Sequence, residues 1–301
     1  MTVYKEFAPA KINLTLNVLG KRADGYHELE SLVAFADVGD NLTLDTSKPT
    51  GVTTSGPFAG SIASANIVEI ALRRLEIEAP QLRLGAVTLE KNLPVAAGIG
   101  GGSADAAALI RAVKRANAEQ AETLNWNAFA LRLGADVPVC LQSKLSWMRG
   151  IGEKVTPLSL KFQAGLSAVI VNPLVPMPPD KTAQVFKALQ ADPLSSDAGV
   201  RKDPPAPQTP HDLLRLIWAG KNDLQRAAVR SEIQRAEFTT VPAISCVLSA
   251  LSGTPGCRIV RLSGAGPTFF ALYDPEADPR RVAEVLQAAH PDWWVKFVVL
   301  C

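Results

Sequence analysis

"LPVAAGIGGGSADAAALIRAVKRA", residues 93–116, places four glycines among positions 98–102 and then runs straight into an alanine-rich helical pattern. Each glycine loses more conformational freedom on folding than an alanine, by roughly 0.5–1 kcal/mol, so a run this dense calls for a compensating interaction. A bare backbone that feeds a helix N-terminus offers unpaired N–H groups and the positive end of a dipole, an arrangement suited to phosphate. A tight structural turn is the plainer alternative. Ser103, at the start of the helical pattern, suits an N-cap, a phosphate contact or a magnesium contact, and these roles are compatible.

Three known nucleotide-binding designs do not fit the loop. A Walker loop needs G-x-x-x-x-G-K-[ST], and no lysine follows these glycines. The dinucleotide fingerprint G-x-G-x-x-G meets Ser103 in one register and Asp105 in the other. The protein-kinase loop requires V-A-I-K, H-R-D and D-F-G, none of which is present.

Composition narrows the field further. The 301 residues, 47% of them hydrophobic, suffice for one or two domains. With 31 basic and 29 acidic residues, the chain lacks the basic excess of a nucleic-acid binder. Cys140, Cys246, Cys257 and Cys301 have no metal-ligand spacing and read as reduced structural thiols. The three histidines are scattered, and neither a signal peptide nor a bilayer-spanning apolar run is visible. The expectation is a cytoplasmic protein.

Alternation in "INLTLNVL" (12–19) predicts a strand, as does "VGDNLTLDT". "SANIVEIALRRLEIE" predicts a helix with Ser64 as its N-cap, and "LRLGAVTLEKNLP" one or two strands. Helices are expected over 103–118 and 124–133, the second ending at Gly134 in a left-handed C-cap. Pro138 then pushes Val137 toward extended backbone, which puts Asp136 at a helix exit. Beyond "LSAVIVNP", a helix over 180–190 is followed by five prolines in 193–210, a surface loop, and by helical patterns over 211–252. "CRIVRLSG", "TFFALYD", a helix near 278–289 and "WWVKFVVL" complete a split βαβ layer. The predicted domains are 1–155 and 156–301.

Three further stretches carry polar residues in suggestive places. "PAKINL" (9–14) puts Lys11 and Asn13 on one strand face, pointing outward, with Ile12 and Leu14 inward. "GADVPV" holds a lone carboxylate, Asp136, and "RLSGAGPTFFAL" is a second small-residue loop. Singly these read as a solvated strand face, a structural carboxylate and a hairpin turn.

Taken in order, "PAKINL", "LPVAAGIGGGSAD" and "LSGAGP" resemble the motif set of the GHMP small-molecule kinases. "PAKINLTLNVLGKRADGYHELESL", "LGADVPVCL", "GIGEKVTPL" and "NDLQ" are similar, within that superfamily, to the 4-diphosphocytidyl-2-C-methyl-D-erythritol kinases. "DGYHEL" is the discriminating piece. The resemblance spans nearly the whole chain and implies an α+β, two-domain GHMP kinase fold. Its N-terminal domain is of the kind shared with a ribosomal protein, and its C-terminal domain is ferredoxin-like.

The implied reaction is transfer of the ATP γ-phosphoryl group, with Mg2+, to the 2-hydroxyl of the cytidylyl substrate in the non-mevalonate route to isoprenoid precursors. Asp136 would be the general base and Lys11 its cationic neighbour, a buried structural ion pair being the alternative. The loop Pro94, Val95, Ala96, Ala97, Gly98, Ile99, Gly100, Gly101, Gly102, Ser103 and Ala104 would hold the triphosphate, with Asn66 and Lys91 lining the nucleotide pocket and Ser103 contacting magnesium. Tyr26 and His27 would hold the cytosine, Phe186 would complete an aromatic sandwich, and Asn13 and Thr182 would meet the sugar alcohol. The implied partner is a small molecule bearing cytidine diphosphate, with no nucleic acid or membrane, and the chain a monomer or weak homodimer.

The loop departs from many relatives at Ala96 and Ala97, where glycine is common, and at Ala104–Asp105, where Ser–Asn is common. The alanines imply ordinary backbone angles. Asp105 is expected to point away from the phosphates or to reach a magnesium shell. A different GHMP kinase, for homoserine or mevalonate, and a nucleotide- or RNA-binding module without catalysis are the competing readings.

Overall fold

Apolar residues recur at alternate and consecutive positions through "HELESLVAFADVGDNLTLD", and they fold as one 19-residue strand, β3 (His27–Asp45). The computed structural model describes residues 2–62, 66–161, 165–178, 180–195, 206–235 and 243–301. It separates into two compact units that interleave along the chain: Met1–Lys11, Asp37–Val95 and Gly100–Ser143 form the first, and Ile12–Ala36, Ala96–Ile99 and Lys144–Cys301 the second. The partition cuts through β1 (Val3–Asn13) and β3, because each unit is assembled on part of the same strand rather than on a continuous half of the chain.

In the first unit the C-terminal half of β3 pairs antiparallel with β5 (Ala86–Glu90), which pairs in parallel with β4 (Gly51–Ser55). The parallel pair is bridged by helix α1 (Ile67–Glu78), whose inward stripe is Val68, Ala71, Leu72 and Leu75. Asn66 caps α1, its side chain accepting from Val68 N, while Ser64 lies outside the described residues. Helix α2 (Gly101–Ala116) is buried along most of its surface through Ala104, Ala106, Ala107, Ala108 and Ala112. Small side chains of this kind let neighbouring elements approach closely while paying no rotamer entropy. Helix α3 (Trp126–Leu133) ends at Gly134, but with φ 171 that glycine is extended, not the expected left-handed cap. Nor does Asp136 lead into extended chain: it is the N-cap of a short helix, α4 (Val137–Gln142). Pro138 sits in the first turn of α4, where no N–H is needed, so its preference for an extended predecessor gives way.

The second unit holds the hairpin of β2 (Asn17–Lys21) with the start of β3, and β6 (Ser146–Gly150), which pairs with β3 and with β7 (Lys154–Pro157). The expected strand over 12–19 is therefore two pieces, broken after Asn13 where Leu14 N and Thr15 N both turn to Leu32 O. β8 (Leu166–Asn172), β9 (Cys257–Leu262), β10 (Phe269–Tyr273) and β11 (Trp294–Leu300) lie in the order β11-β8-β10-β9, all neighbours antiparallel. With α5 (Lys181–Leu189) after β8 and α9 (Pro279–Ala289) between β10 and β11, this is the predicted ferredoxin-like layer. The helical stretch 211–252 resolves into α6 (Pro210–Ala219), α7 (Leu224–Arg235) and α8 (Ala243–Ser252). β11 also reaches the first part of the chain, Leu300 pairing with Ala36. Residues 196–205 of the proline-rich stretch lie outside the described residues.

Candidate active site

Each unit carries its own set of the predicted residues. In the first, α2 begins at Gly101, and its N-cap is Gly100 in the left-handed region (φ 63), not Ser103. Gly100 carries no cap side chain, so the first amides of α2 are left for a ligand. A Cβ at Gly100 would stand 3.1 Å from Lys11 Cβ and 3.3 Å from Lys11 Cε, so the bare position also makes room for the lysine stem. Ser103 lies in the first turn, half-buried. Pro94 is buried and Val95 exposed.

Lys11 runs along that floor and ends on Asp136, Nζ to Oδ2 at 2.7 Å. The lysine side chain is 4% exposed and the aspartate 35%, so the carboxylate stays reachable from solvent while its cationic partner does not. Lys11 and Asn13 do share a strand face, but both are buried rather than solvated, with Lys11 paired to Asp136 and Asn13 satisfied only in part. Cys140, four residues past Asp136, is inert: burial, aided by the Asp136 charge, pushes its thiol up to about 12.

Lys91 takes a different role from the one expected. It is buried, and its Nζ donates to Asp40 Oδ2 at 2.5 Å and to Asp105 Oδ2 at 2.6 Å. Asp40 Oδ1 in turn accepts from Asn92 N and Leu93 N. Asp105 thus points away from the loop surface and onto Lys91. Burial, outweighing the lysine's attraction, raises the Asp105 carboxyl well above its ordinary range. For Lys91, burial pulls downward, but Asp105 and Asp40 outweigh it and hold the ammonium raised. Asp105 Oδ1 is buried without a hydrogen-bond partner.

Two carboxylates on one buried ammonium leave an excess negative charge, and Asp105→Asn removes it while keeping an acceptor for Lys91. The variant is expected to be at least as stable as the parent. Because the folded carboxyl has a raised pKa, its protonated form is favoured at low pH and that contribution is lost as pH rises through the folded value. The Tm advantage of Asp105→Asn should therefore grow as pH rises from the ordinary carboxylate range toward the raised folded value. An advantage that shrinks over this range refutes the excess-charge account.

In the second unit the loop Ala96–Ile99 folds against the β9–β10 turn. Ser263 Oγ donates to Gly98 O, and Thr268 N donates to Ala97 O. A Cβ at Gly98 would fall 2.6 Å from both Gly266 O and Ser263 O, which explains why two small-residue loops occur in one sequence. Ala96 does not have the ordinary angles its type implies: its φ is 54, a conformation costing an L-residue roughly 1–2 kcal/mol. Positive φ at 96 and 98, interrupted at 97, is the kind of alternating backbone from which anion-binding nests are built. The carbonyl of Ala96 accepts from the buried ammonium of Lys181 at 2.9 Å, and Gly266 O accepts from the same nitrogen.

The residues expected to meet the acceptor are also in this unit. Asn13 Nδ2 donates to Ser31 Oγ at 2.8 Å and Asn13 N to Ser263 Oγ, whereas Asn13 Oδ1 is buried and unpartnered. Gly25 (φ 87) and an Asp24 carboxylate accepting from Tyr26 N shape the tip before β3, leaving the Tyr26 ring exposed. His27 and Phe186 stack on one another, centroids 4.6 Å apart and planes at 24°. That spacing leaves no room for a base between them, so the expected sandwich is not formed by His27 and Phe186 as they stand here. Burial and the nearby Lys21 charge lower the His27 pKa, so the ring is neutral at pH 7. Thr182 is exposed on the first turn of α5.

Comparison with known proteins gives the family. The GHMP kinases N terminal domain matches residues 66–144, and the GHMP kinases C terminal domain residues 213–292. A 4-diphosphocytidyl-2-C-methyl-D-erythritol kinase of Rhodopseudomonas palustris is 46% identical over 98% of this chain and 96% of its own. The chain belongs to the 4-diphosphocytidyl-2-C-methyl-D-erythritol kinase family. A relative of that name from Methylobacterium radiotolerans is likewise 46% identical, over 98% of each chain. A crystal structure titled 4-(cytidine 5'-diphospho)-2C-methyl-D-erythritol kinase superposes with a TM-score of 0.72 at 31% identity, covering 98% and 99% of the two chains. A homoserine kinase from Cytophaga hutchinsonii, at 19% identity and a TM-score of 0.58, shares the fold.

Within this family's framework, sequence reasoning passed over Lys181, Ser31, Ser263 and Asp40. Lys181 did leave a signal: a lysine in the first turn sits at the wrong end of a helix dipole, which marks a side chain used elsewhere. The other three are short polar residues inside strands and turns, with no local pattern.

Proposed function

We propose that this chain transfers the γ-phosphoryl group of ATP to the 2-hydroxyl of 4-diphosphocytidyl-2-C-methyl-D-erythritol, a step of non-mevalonate isoprenoid precursor synthesis. The observation that carries the reading is the Lys11–Asp136 pair, with a buried cation and a reachable carboxylate, beside a bare helix start. The acceptor oxygen attacks phosphorus, the bond to the ADP oxygen breaks, and the hydroxyl proton passes to Asp136. An alcohol is far more basic than a carboxylate, so the proton moves late. Lys11, held on Asp136 by its ion pair, offsets charge on the phosphoryl oxygens.

The amides of 95–103 bind the triphosphate, that of Ala104 being taken by Gly100 O, and the buried, unpartnered Nδ2 of Asn66 serves the nucleotide. Lys91 acts indirectly, by fixing Asn92, Leu93 and the α2 start through its two carboxylates. Magnesium fits this donor set: no cluster of three acidic, histidine or cysteine side chains exists among the described residues, but Mg2+ carried on phosphates needs only one or two protein oxygens. Ser103 would supply that oxygen, and the ion would neutralise phosphate charge. Asn13 Oδ1 and Thr182 meet the sugar alcohol, and Tyr26, His27 and Phe186 the cytosine. The near-balanced charge favours this small-molecule partner over nucleic acid. No helix among the described residues is long and apolar enough to cross a membrane, and we place the enzyme in the cytoplasm as a monomer or weak homodimer.

The test is ADP release from Mg·ATP with the cytidylyl alcohol, homoserine, mevalonate or no acceptor. Turnover is expected with the cytidylyl alcohol alone. Silence with every acceptor despite ATP binding would overturn the reading in favour of a binding module. For Phe186→Ala, lost stacking of roughly 1–3 kcal/mol should raise the KM of the cytidylyl substrate about tenfold or more and leave the KM of ATP alone. An unchanged cytidylyl KM removes the aromatic assignment.

A further inference from the structure

Lys181 is a buried ammonium, 5% exposed, at the first residue of α5, one position before Thr182 and five before Phe186. It donates to two backbone carbonyls, Ala96 O in the phosphate loop and Gly266 O in the β9–β10 turn. One side chain therefore fastens three segments of the second unit: the loop 96–99, the turn 263–268 and the helix that carries two acceptor-side residues. The bond to Ala96 falls on the one non-glycine residue of the loop held at positive φ. An alanine settles there only when something over-determines it. The neighbouring bonds, Thr268 N to Ala97 O and Ser263 Oγ to Gly98 O, hold the next two residues and leave Ala96 itself to the lysine.

We infer that Lys181 is a positioning residue for phosphoryl transfer: its ammonium fixes Ala96 in the left-handed conformation that aims the loop's amides, and it ties that loop to the acceptor helix α5. This rests on the kinase reading above. A glycine at position 96 would reach the same angles unaided. The charge does here what a missing Cβ would do, with the added result that donor loop and acceptor helix share one anchor. Sitting at the helix end where a cation is disfavoured, Lys181 gives up dipole complementarity for these two bonds.

The experiment is a cycle of Lys181→Met and Ala96→Gly, singly and together, read by steady-state kinetics, by Kd for a non-hydrolysable ATP analogue and by hydrogen exchange. Loss of two charge-assisted hydrogen bonds predicts about a tenfold or larger rise in the KM and Kd for the nucleotide in Lys181→Met. The rise should fall to about twofold when Ala96→Gly is the background, because the strain the lysine restrains is gone. Exchange at the Gly266 and Thr268 amides should speed by about tenfold in Lys181→Met while the β8–β10 amides stay protected. A purely structural lysine would lower Tm by the same amount in both backgrounds and leave the nucleotide Kd in place; that result, or equal Kd rises in both backgrounds, overturns the inference. Where Lys181→Met does not accumulate, Lys181→Gln, which keeps one donor, enters the same cycle. A parent enzyme silent with the cytidylyl alcohol refutes the kinase reading, while nucleotide Kd and exchange still decide the role of Lys181.

Discussion

Asp136→Asn is expected to lower kcat by about a thousandfold, within the roughly 10²–10⁴ that a positioned general base contributes, while ATP binds almost as before. The substitution keeps size and leaves an oxygen for Lys11 Nζ, now 2.7 Å from the carboxylate, so the floor beneath Gly100 is retained. What disappears is the proton acceptor and the charge that Lys11 balances. A neutral amide beside a 4% exposed ammonium leaves that cation uncompensated, so some stability is lost as well, moderated by the 35% exposure of residue 136. Turnover with saturating acceptor, ATP affinity by titration and Tm separate the three effects. Retained turnover would reduce the Lys11–Asp136 pair to a structural bridge.

Lys91→Met should produce a large loss of stability. Asp40 and Asp105 lie within 0% and 2% side-chain exposure of solvent, and both rest on this one ammonium. Removing a single partner from a buried ion pair typically costs about 3–5 kcal/mol, because a carboxylate is left with no compensating charge. Asp105 can respond by holding its proton, toward which it is already biased. Asp40 has less freedom, since its other oxygen receives Asn92 N and Leu93 N and fixes the chain entering the phosphate loop. Urea unfolding at constant m-value gives the loss directly. Adding Asp105→Asn should recover part of it; a Lys91→Met variant within about 1 kcal/mol of the parent would mean that the cluster is solvated or dispensable.

The glycine run and the ferredoxin-like order were legible because each is written in local residue types, bare positions before a helix and alternating strands around a helix, whereas the Lys11–Asp136 pair, 125 residues apart, was implied only by the resemblance to the GHMP kinases. What was not legible depends on contacts distant in sequence. Ala96 has nothing local to signal a left-handed angle, since the cause lies 85 residues away in Lys181. The burial of Lys91 follows from Asp40 and Asp105, 51 and 14 residues off. Pro138 pointed toward extended chain on a rule that holds inside helices but lapses in their first turn. The stacking of His27 on Phe186 requires that the β2–β3 tip and α5 be known together.

The pairing of Ala36 with Leu300 has a consequence for how the polypeptide is made. Phe35 exchanges both of its main-chain hydrogen bonds with Cys301, so that edge of the long strand waits for a partner synthesised about 260 residues later. At roughly 5–20 residues per second the ribosome needs on the order of 10–50 s to deliver it. Throughout that interval the nascent chain presents an unpaired, apolar strand edge, the kind of surface that invites aggregation. Its yield in the cell should therefore respond to translation speed and chaperone supply more than its final stability would suggest.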